Sequence, residues 1–392
     1  MKLAPRTLTL AIGQGMLGGA VTAVTLGVMH ALQHEVWHLA GSSRWAVPVV
    51  IITGGALLAV LHRWASDEGV AQQITDASHP VDLHRRRTAF LALSAIIAVA
   101  FGGAIGPEAG LIAVMAEVSA IVSVRLARSH AEERLIGQTG TAGSLGALYG
   151  APTGSSMFTD DSDDDKALRL ANVIAGAFGF ISFLLVHGLF RAPGITLGLN
   201  AVQLSTRQVA ASLIAAVFGT VLAAGYTVVR GAAKVTAERI VNAPARIMCG
   251  TLLFAVIATF APHVRFSGHE DITQVVDLAT RGAWWSLLAI AALKLIVTAI
   301  NLATGWLGGD FFPLILSGAA IGLLSCSFVT LPPEAAAIAG GTAAVTVGMR
   351  KPAVTFVIVV LVSGGVAVPA ALIGAAIGLA AAAMLPEPAP TH

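Results

Sequence analysis

Twelve apolar stretches follow one another along this chain, and several are separated by Gly and Pro rather than by polar loops. They run from 8 to 32, 45 to 61, 88 to 103, 106 to 124, 134 to 149, 167 to 190, 207 to 229, 246 to 261, 284 to 303, 311 to 330, 334 to 349 and 352 to 384. A membrane-spanning helix needs about 20 apolar residues, and one water-soluble core has no room for so many such stretches. With 56% of the 392 residues hydrophobic and only 11% charged, the chain reads as an all-α membrane protein of many passes. It is expected to form a single membrane domain over 1–392, without a soluble catalytic or C-terminal regulatory domain. The opening MKLAPR and the apolar run to Leu32 read as a retained first helix rather than a cleaved signal.

The charged residues exclude some functions. Lys and Arg number 23 against 21 Asp and Glu, a net charge of +2, so there is no concentrated basic face and no nucleic-acid partner is expected. His84-Arg85-Arg86-Arg87, and Arg125 with Arg128, flank apolar runs and read as topology signals. Cys249 and Cys326 lie inside apolar runs, so they are expected as small buried hydrophobes, neither a disulfide nor a metal site.

The breaks are more informative. Some apolar segments are too short to cross a bilayer alone, and between them stand GGAIGP (102–107), YGAP (149–152), LGGDFFP (307–313) and MRKP (349–352). Pro107 and Pro152 are 45 residues apart (152 minus 107), and Pro313 and Pro352 are 39 apart (352 minus 313). Each half, near 1–195 and 196–386, thus carries a glycine-rich break and a second Pro-marked one about forty residues later, a pattern that points to a repeated transporter with its site between the halves. Helix N-termini at such breaks present unpaired N–H groups and a positive dipole end, so a small anion is their natural ligand.

The same stretches resemble the CLC family of chloride channels and chloride/proton antiporters, in order over nearly the whole chain. Gly308-Gly309-Asp310-Phe311-Phe312-Pro313 is similar to the family's G-G-x-F-x-P, and Gly103-Ala104-Ile105-Gly106-Pro107 fits its G-R-E-G-P frame. GALYGAP (146–152) and GMRKPAVTF (348–356) resemble its two later turns. The resemblance implies a CLC-like inverted repeat with broken membrane helices, a homodimer with one pathway per subunit, and a place in a bacterial inner membrane among lipids. It implies an anion site built by Gly103, Ala104, Ile105, Gly106 and Pro107 on one side and Gly309, Asp310 and Phe311 on the other. Ser66 stands where the family has an anion-touching serine, while the family's tyrosine ligand falls near Gly364 and is absent.

The departures bear on mechanism. The gating glutamate of the family falls at Ile105, which neither ionises nor mimics an anion, and its inner proton-transfer glutamate falls near Ser162, beside Asp160, Asp161, Asp163, Asp164 and Asp165. Glu108 follows three residues after Ile105 and is therefore expected near the same helical face; it is either a helix N-terminal acid or a displaced gate and proton carrier. This G-P-E variant resembles a divergent bacterial branch described as ion-transport proteins. Glu117, further along the same apolar run, either extends a proton path or pairs with a Lys or Arg. Lys294 also sits inside an apolar run, where an ionisable group is a functional candidate by default. Asp310 would repel a bound anion by about 4 kcal/mol at 4 Å and an effective dielectric of 20, so it is expected to turn away, to be protonated, or to pair with a cation such as Lys294 or Arg350.

One motif points elsewhere. His34-Glu35-Val36-Trp37-His38 is a literal H-E-x-x-H, which on a helix sets two imidazoles on one face for zinc with the Glu as base. Arg44 stands where an extended form of that motif needs a third His, so an intramembrane zinc protease is a distant alternative to an interfacial helix end anchored by Trp37. The leading expectation is passive transport of chloride or a similar small anion, with no enzymatic activity and no cofactor. A proton-coupled chloride or fluoride antiporter using Glu108 is the alternative.

Overall fold

Hydrophobic stretches bounded by Gly, Pro and N-capping residues become helices almost wherever the sequence offers them. The computed structural model describes residues 4–41, 43, 45–64, 85–151, 165–190 and 197–385, the side chains at 85, 86, 189 and 190 excepted. These residues form fourteen α-helices and no strand. The first half holds α1 (Pro5–Ala40), α2 (Ala46–Leu61), α3 (Arg85–Ala100), α4 (Glu108–Leu126), α5 (His130–Tyr149) and α6 (Lys166–Phe190). The second holds α7 (Thr206–Glu238), α8 (Ala243–Phe260), α9 (Ile272–Thr280), α10 (Trp284–Thr304), α11 (Phe311–Leu323), α12 (Pro333–Met349), α13 (Pro352–Val362) and α14 (Val368–Met384). Six of them, α1, α4, α6, α7, α8 and α10, are long and apolar enough to cross a membrane. At 36 residues, α1 is about 54 Å long, well beyond the roughly 30 Å hydrocarbon core.

The order of packing repeats. In the first half α1, α5 and α6 pack on one another, α4 lies against α5, and α3 leads into α4; in the second half α7, α12 and α14 do the same, α11 lies against α12, and α10 leads into α11. The second helices of the halves, α2 and α8, pack on each other. Both three-helix clusters close backbone to backbone at glycine, as small residues allow in lipid. A Cβ on Gly143 of α5 would run into the backbone of Gly15 on α1, and a Cβ on Gly219 of α7 into the carbonyl of Gly340 on α12.

Three expectations are corrected here. The apolar run 352 to 384 is two helices, because Gly364 and Gly365 adopt φ of 69° and 78° and Ala367 a φ of 49°, which no helix continues through. The run 311 to 330 ends its α-helix at Leu323 and finishes as a 3-10 turn, Leu324–Ser327. Cys249 is exposed and Cys326 only half-buried. A spanning helix turns one apolar face to lipid, so an apolar run does not place every residue inside the protein.

Candidate functional site

The two glycine-rich breaks meet. α3 stops at Ala100 and the chain turns through Gly102 at φ 89°; α10 stops at Thr304 and turns through Gly305 at φ 106°. Both values are open to glycine at no steric penalty. The segments that follow pair antiparallel at a single point: the Gly106 amide donates to the Gly309 carbonyl at 2.7 Å, and the Gly309 amide to the Gly106 carbonyl at 3.2 Å. α4 then begins at Glu108 and α11 at Phe311, so each helix N-terminus starts two residues after its glycine of a shared two-bond bridge. From α10, the Thr298 hydroxyl donates to the Ala104 carbonyl at 2.8 Å and anchors the first break.

This bridge narrows the set of anion-facing groups expected from the sequence. The amides of Gly106 and Gly309 are spent on each other, that of Gly103 donates to the Ala98 carbonyl at 2.9 Å, and Pro107 has none. Those four residues build the junction. The amides of Ala104, Ile105, Asp310 and Phe311 keep no described backbone acceptor.

Glu108 fills the junction. Its side chain is 2% exposed, and it folds back from the first position of α4 until its carboxylate rests on the Cα atoms of Gly106 and Gly309; a Cβ on either glycine would collide with it. Neither carboxylate oxygen accepts a hydrogen bond of good geometry from a described residue, although the Tyr149 hydroxyl and the Gly309 amide lie against it and the Asp310 charge acts on it. Tyr149, the last residue of α5, is 3% exposed, and its ring lies 4.7 Å from that of Phe311 and 5.9 Å from that of Phe312.

Ile105 and Glu108 do not share a helical face, because Ile105 lies in the break and the helix begins three residues later. The Ile105 side chain is fully buried against Gly308 and joins a hydrophobic cluster with Phe254 and Trp306. Backbone and side chain therefore differ there: the amide keeps no described backbone acceptor, while the side chain packs at the junction's flank. Glu117 sits nine residues beyond Glu108, about 13 Å along the α4 axis and only partly buried.

Asp310 is paired, but not by the cations the sequence suggested. Its Oδ2 accepts from Arg230 Nη1 at 2.6 Å and from the Tyr226 hydroxyl at 3.0 Å, both on α7 and one helical turn apart. Lys294 is instead enclosed by carbonyls: its Nζ donates to Phe266 at 2.6 Å and Arg265 at 2.9 Å, with Val264 and His263 at 3.3 and 3.4 Å. Arg350 ends α12 in the left-handed region at φ 56° and donates to the Leu385 carbonyl at 3.0 Å. The segment held by Lys294 reaches both breaks. The Phe266 amide donates to the Gly102 carbonyl at 3.0 Å, and the His269 ring packs on Phe312 with centroids 5.4 Å apart. Burial pushes the His269 imidazole below its ordinary range.

Ser66, Asp161 and Ser162 lie outside the described residues. His34 and His38 stack at 5.9 Å on an exposed face of α1, and among the described residues no three His, Cys, Asp or Glu side chains gather to hold a metal. Trp37 turns inward instead of anchoring at the surface: its indole N–H donates to the Ala100 carbonyl at 3.1 Å, and Arg265 stacks over its ring at 4.9 Å. Sequence reasoning missed Tyr149, Tyr226 and Arg230. A signal existed, for the chain has only two tyrosines and both face this junction, while Arg230 follows the uncharged stretch from Gln208 to Val229.

Repeated packing and two broken helices facing one buried junction define a multi-pass membrane transport protein. The model of the voltage gated chloride channel family matches residues 49–383, and the chain belongs to that family, the CLC proteins, whose business is anion transport across membranes. A relative from Escherichia coli (strain SMS-3-5 / SECEC), named "Putative ion-transport protein YfeO", is 24% identical over 348 residues, covering 83% of this chain and 80% of the relative. Its namesake from Salmonella schwarzengrund is 28% identical over 256 residues, 62% of this chain and 60% of that one. Among solved structures, a slow cyanobacterial Cl−/H+ antiporter superposes with a TM-score of 0.82 at 16% identity, covering 98% of this chain and 95% of its own. A CLC-type fluoride/proton antiporter gives 0.75 at 17% identity, covering 95% and 94%. At such identities these two likenesses speak for the fold alone.

Proposed function

We propose that chloride or a similar small inorganic anion crosses through the junction of the two breaks, and that Glu108 gates this route and exchanges protons against the anion. The observation that carries the reading is the buried Glu108 carboxylate lodged between Gly106 and Gly309 without a hydrogen-bonding partner of good geometry. A carboxylate in that place and an anion exclude each other, so transport requires the side chain to leave, and taking up a proton is how it sheds its charge. Anion dwell would rest on the open amides of Asp310 and Phe311, and of Ala104 and Ile105, with the Tyr149 hydroxyl nearby. Partial dipoles hold an ion without trapping it. The two proton antiporters among the structural neighbours agree with this reading.

A passive pore is the second reading, favoured by Ile105 at the family's gate position. Purified protein in chloride-loaded liposomes, with anion efflux and internal pH recorded together, separates the two. Proton movement tied to chloride in the wild type and lost in Glu108→Gln is the expected result; chloride efflux with no linked proton movement in either would make the protein a passive pore and Glu108 a helix-end acid. As working parts of the same proposal, the chain is a transporter rather than an enzyme, uses no cofactor, pairs as a homodimer among lipids, and resides in a bacterial inner membrane.

A further inference from the structure

Asp310 is the N-cap residue of α11, the position where an aspartate ordinarily turns its carboxylate onto the amides of its own helix. Here it makes no such bond. The carboxylate is drawn off to α7, where the Tyr226 hydroxyl and Arg230 Nη1 donate to the same oxygen, Oδ2. Pro313, third in the helix, has no amide to offer, so Phe311 and Phe312 supply the first-turn donors. Were Asp310 to cap its helix, it would consume an amide and carry its negative charge from Arg230 and Tyr226 onto the helix terminus where an anion must arrive.

We propose that Arg230 and Tyr226 are positioning residues that hold the Asp310 carboxylate off the N-terminus of α11, so that its amides stay open to a small inorganic anion. The inference rests on the reading that these amides receive the transported ion. Its second support is independent of the helix terminus: the 2%-exposed Glu108 carboxylate is aimed into the same junction and lies against Gly309. The sequence context fits a positioning role. Arg230 breaks a long uncharged run, and Tyr226 sits one turn before it, 3% exposed, so that both donors converge on one oxygen.

The test is a rescue. Liposome efflux is measured against chloride concentration for wild type, Arg230→Gln, Tyr226→Phe, Asp310→Asn and Arg230→Gln/Asp310→Asn, with Glu108→Gln run in parallel and internal pH recorded throughout. Releasing Asp310 in Arg230→Gln is expected to raise the half-saturating chloride concentration about tenfold, the effect of one partly screened charge, and Tyr226→Phe about threefold by the loss of one donor. Neutralising Asp310 in the double variant removes the intruding charge and is expected to restore half-saturation to within about twofold of wild type. Should Arg230→Gln not fold, Tyr226→Phe with and without Asp310→Asn carries the same comparison. Weak chloride dependence that persists in the double variant, or an unchanged half-saturation in the single ones, overturns the inference. Loss of proton coupling in Glu108→Gln with no effect at Arg230 or Tyr226 sinks this inference alone, whereas a wild type that moves chloride without protons sinks the gating reading and leaves the rescue to be judged by its own numbers.

Discussion

At the first break the acid follows the glycine by two residues, lies inside the protein and faces the bridge; at the second the acid follows its glycine directly and is led away to a neighbouring helix. Gly106-Pro107-Glu108 and Gly309-Asp310-Phe311 occupy matching places, each ending on the first residue of its helix. Their backbones pair with each other. What differs is compensation. Asp310 has a guanidinium and a phenol on one oxygen, and Glu108 has no partner of good geometry. A paired carboxylate is fixed in place, and removing its partner is the damaging change; one with no cation beside it is, on the function proposed above, the acid that moves and trades its proton. One scaffold thus yields an acid paired with a cation and an acid without one.

The comparison breaks most sharply at Glu108. Glu108→Gln is expected to abolish linked proton movement while chloride still flows, and internal-pH recording during efflux reads this directly. Next in size is Gly309→Ala, whose new Cβ falls where the carboxylate lies and displaces the gate; uncoupled chloride leak should rise several-fold in the same assay, whereas Gly308→Ala presses on Ile105 and should damage folding instead. Lys294→Met leaves the carbonyls of His263, Val264, Arg265 and Phe266 without their donor and loosens the segment that ties Gly102 to Phe312. It is expected to cost at least about 2 kcal/mol, visible as a lower melting temperature in detergent. Smaller still, Thr298→Val removes the bond to the Ala104 carbonyl for about 1 kcal/mol. Ile105→Val trims one buried methylene for about 1 kcal/mol and should leave proton coupling intact, since the side chain packs in the flank with Trp306. A loss of coupling in Ile105→Val would move the gate back to that position.

Much of this was readable in advance at the level of segments. The breaks at 102–107, 149–152, 307–313 and 349–352 each end or begin a helix, because Gly and Pro act on the local backbone whatever surrounds them. Glu108 stood out for the same reason: an acid at a Pro-marked helix start inside an apolar run. Its orientation was not readable. The expectation that Ile105 and Glu108 share a face assumed a helix that starts three residues too early, and only the Gly106–Gly309 pairing, across 203 residues (309 minus 106), shows why the helix waits.

The partners of the charges were equally hidden. Lys294 and Arg350 looked like mates for Asp310 because they were the cations inside or beside apolar runs, yet Lys294 is consumed by four carbonyls and the mate is Arg230, 80 residues upstream. By itself the sequence determined the membrane environment, the helices, the duplicated breaks and the presence of an acid at each, since these follow from hydropathy and from backbone chemistry that acts over a few residues. Which acid meets a cation and which does not was decided by tertiary structure alone, because a charge is settled by whatever donors the packing brings within about 3 Å, and the packing joins residues that are far apart in the chain.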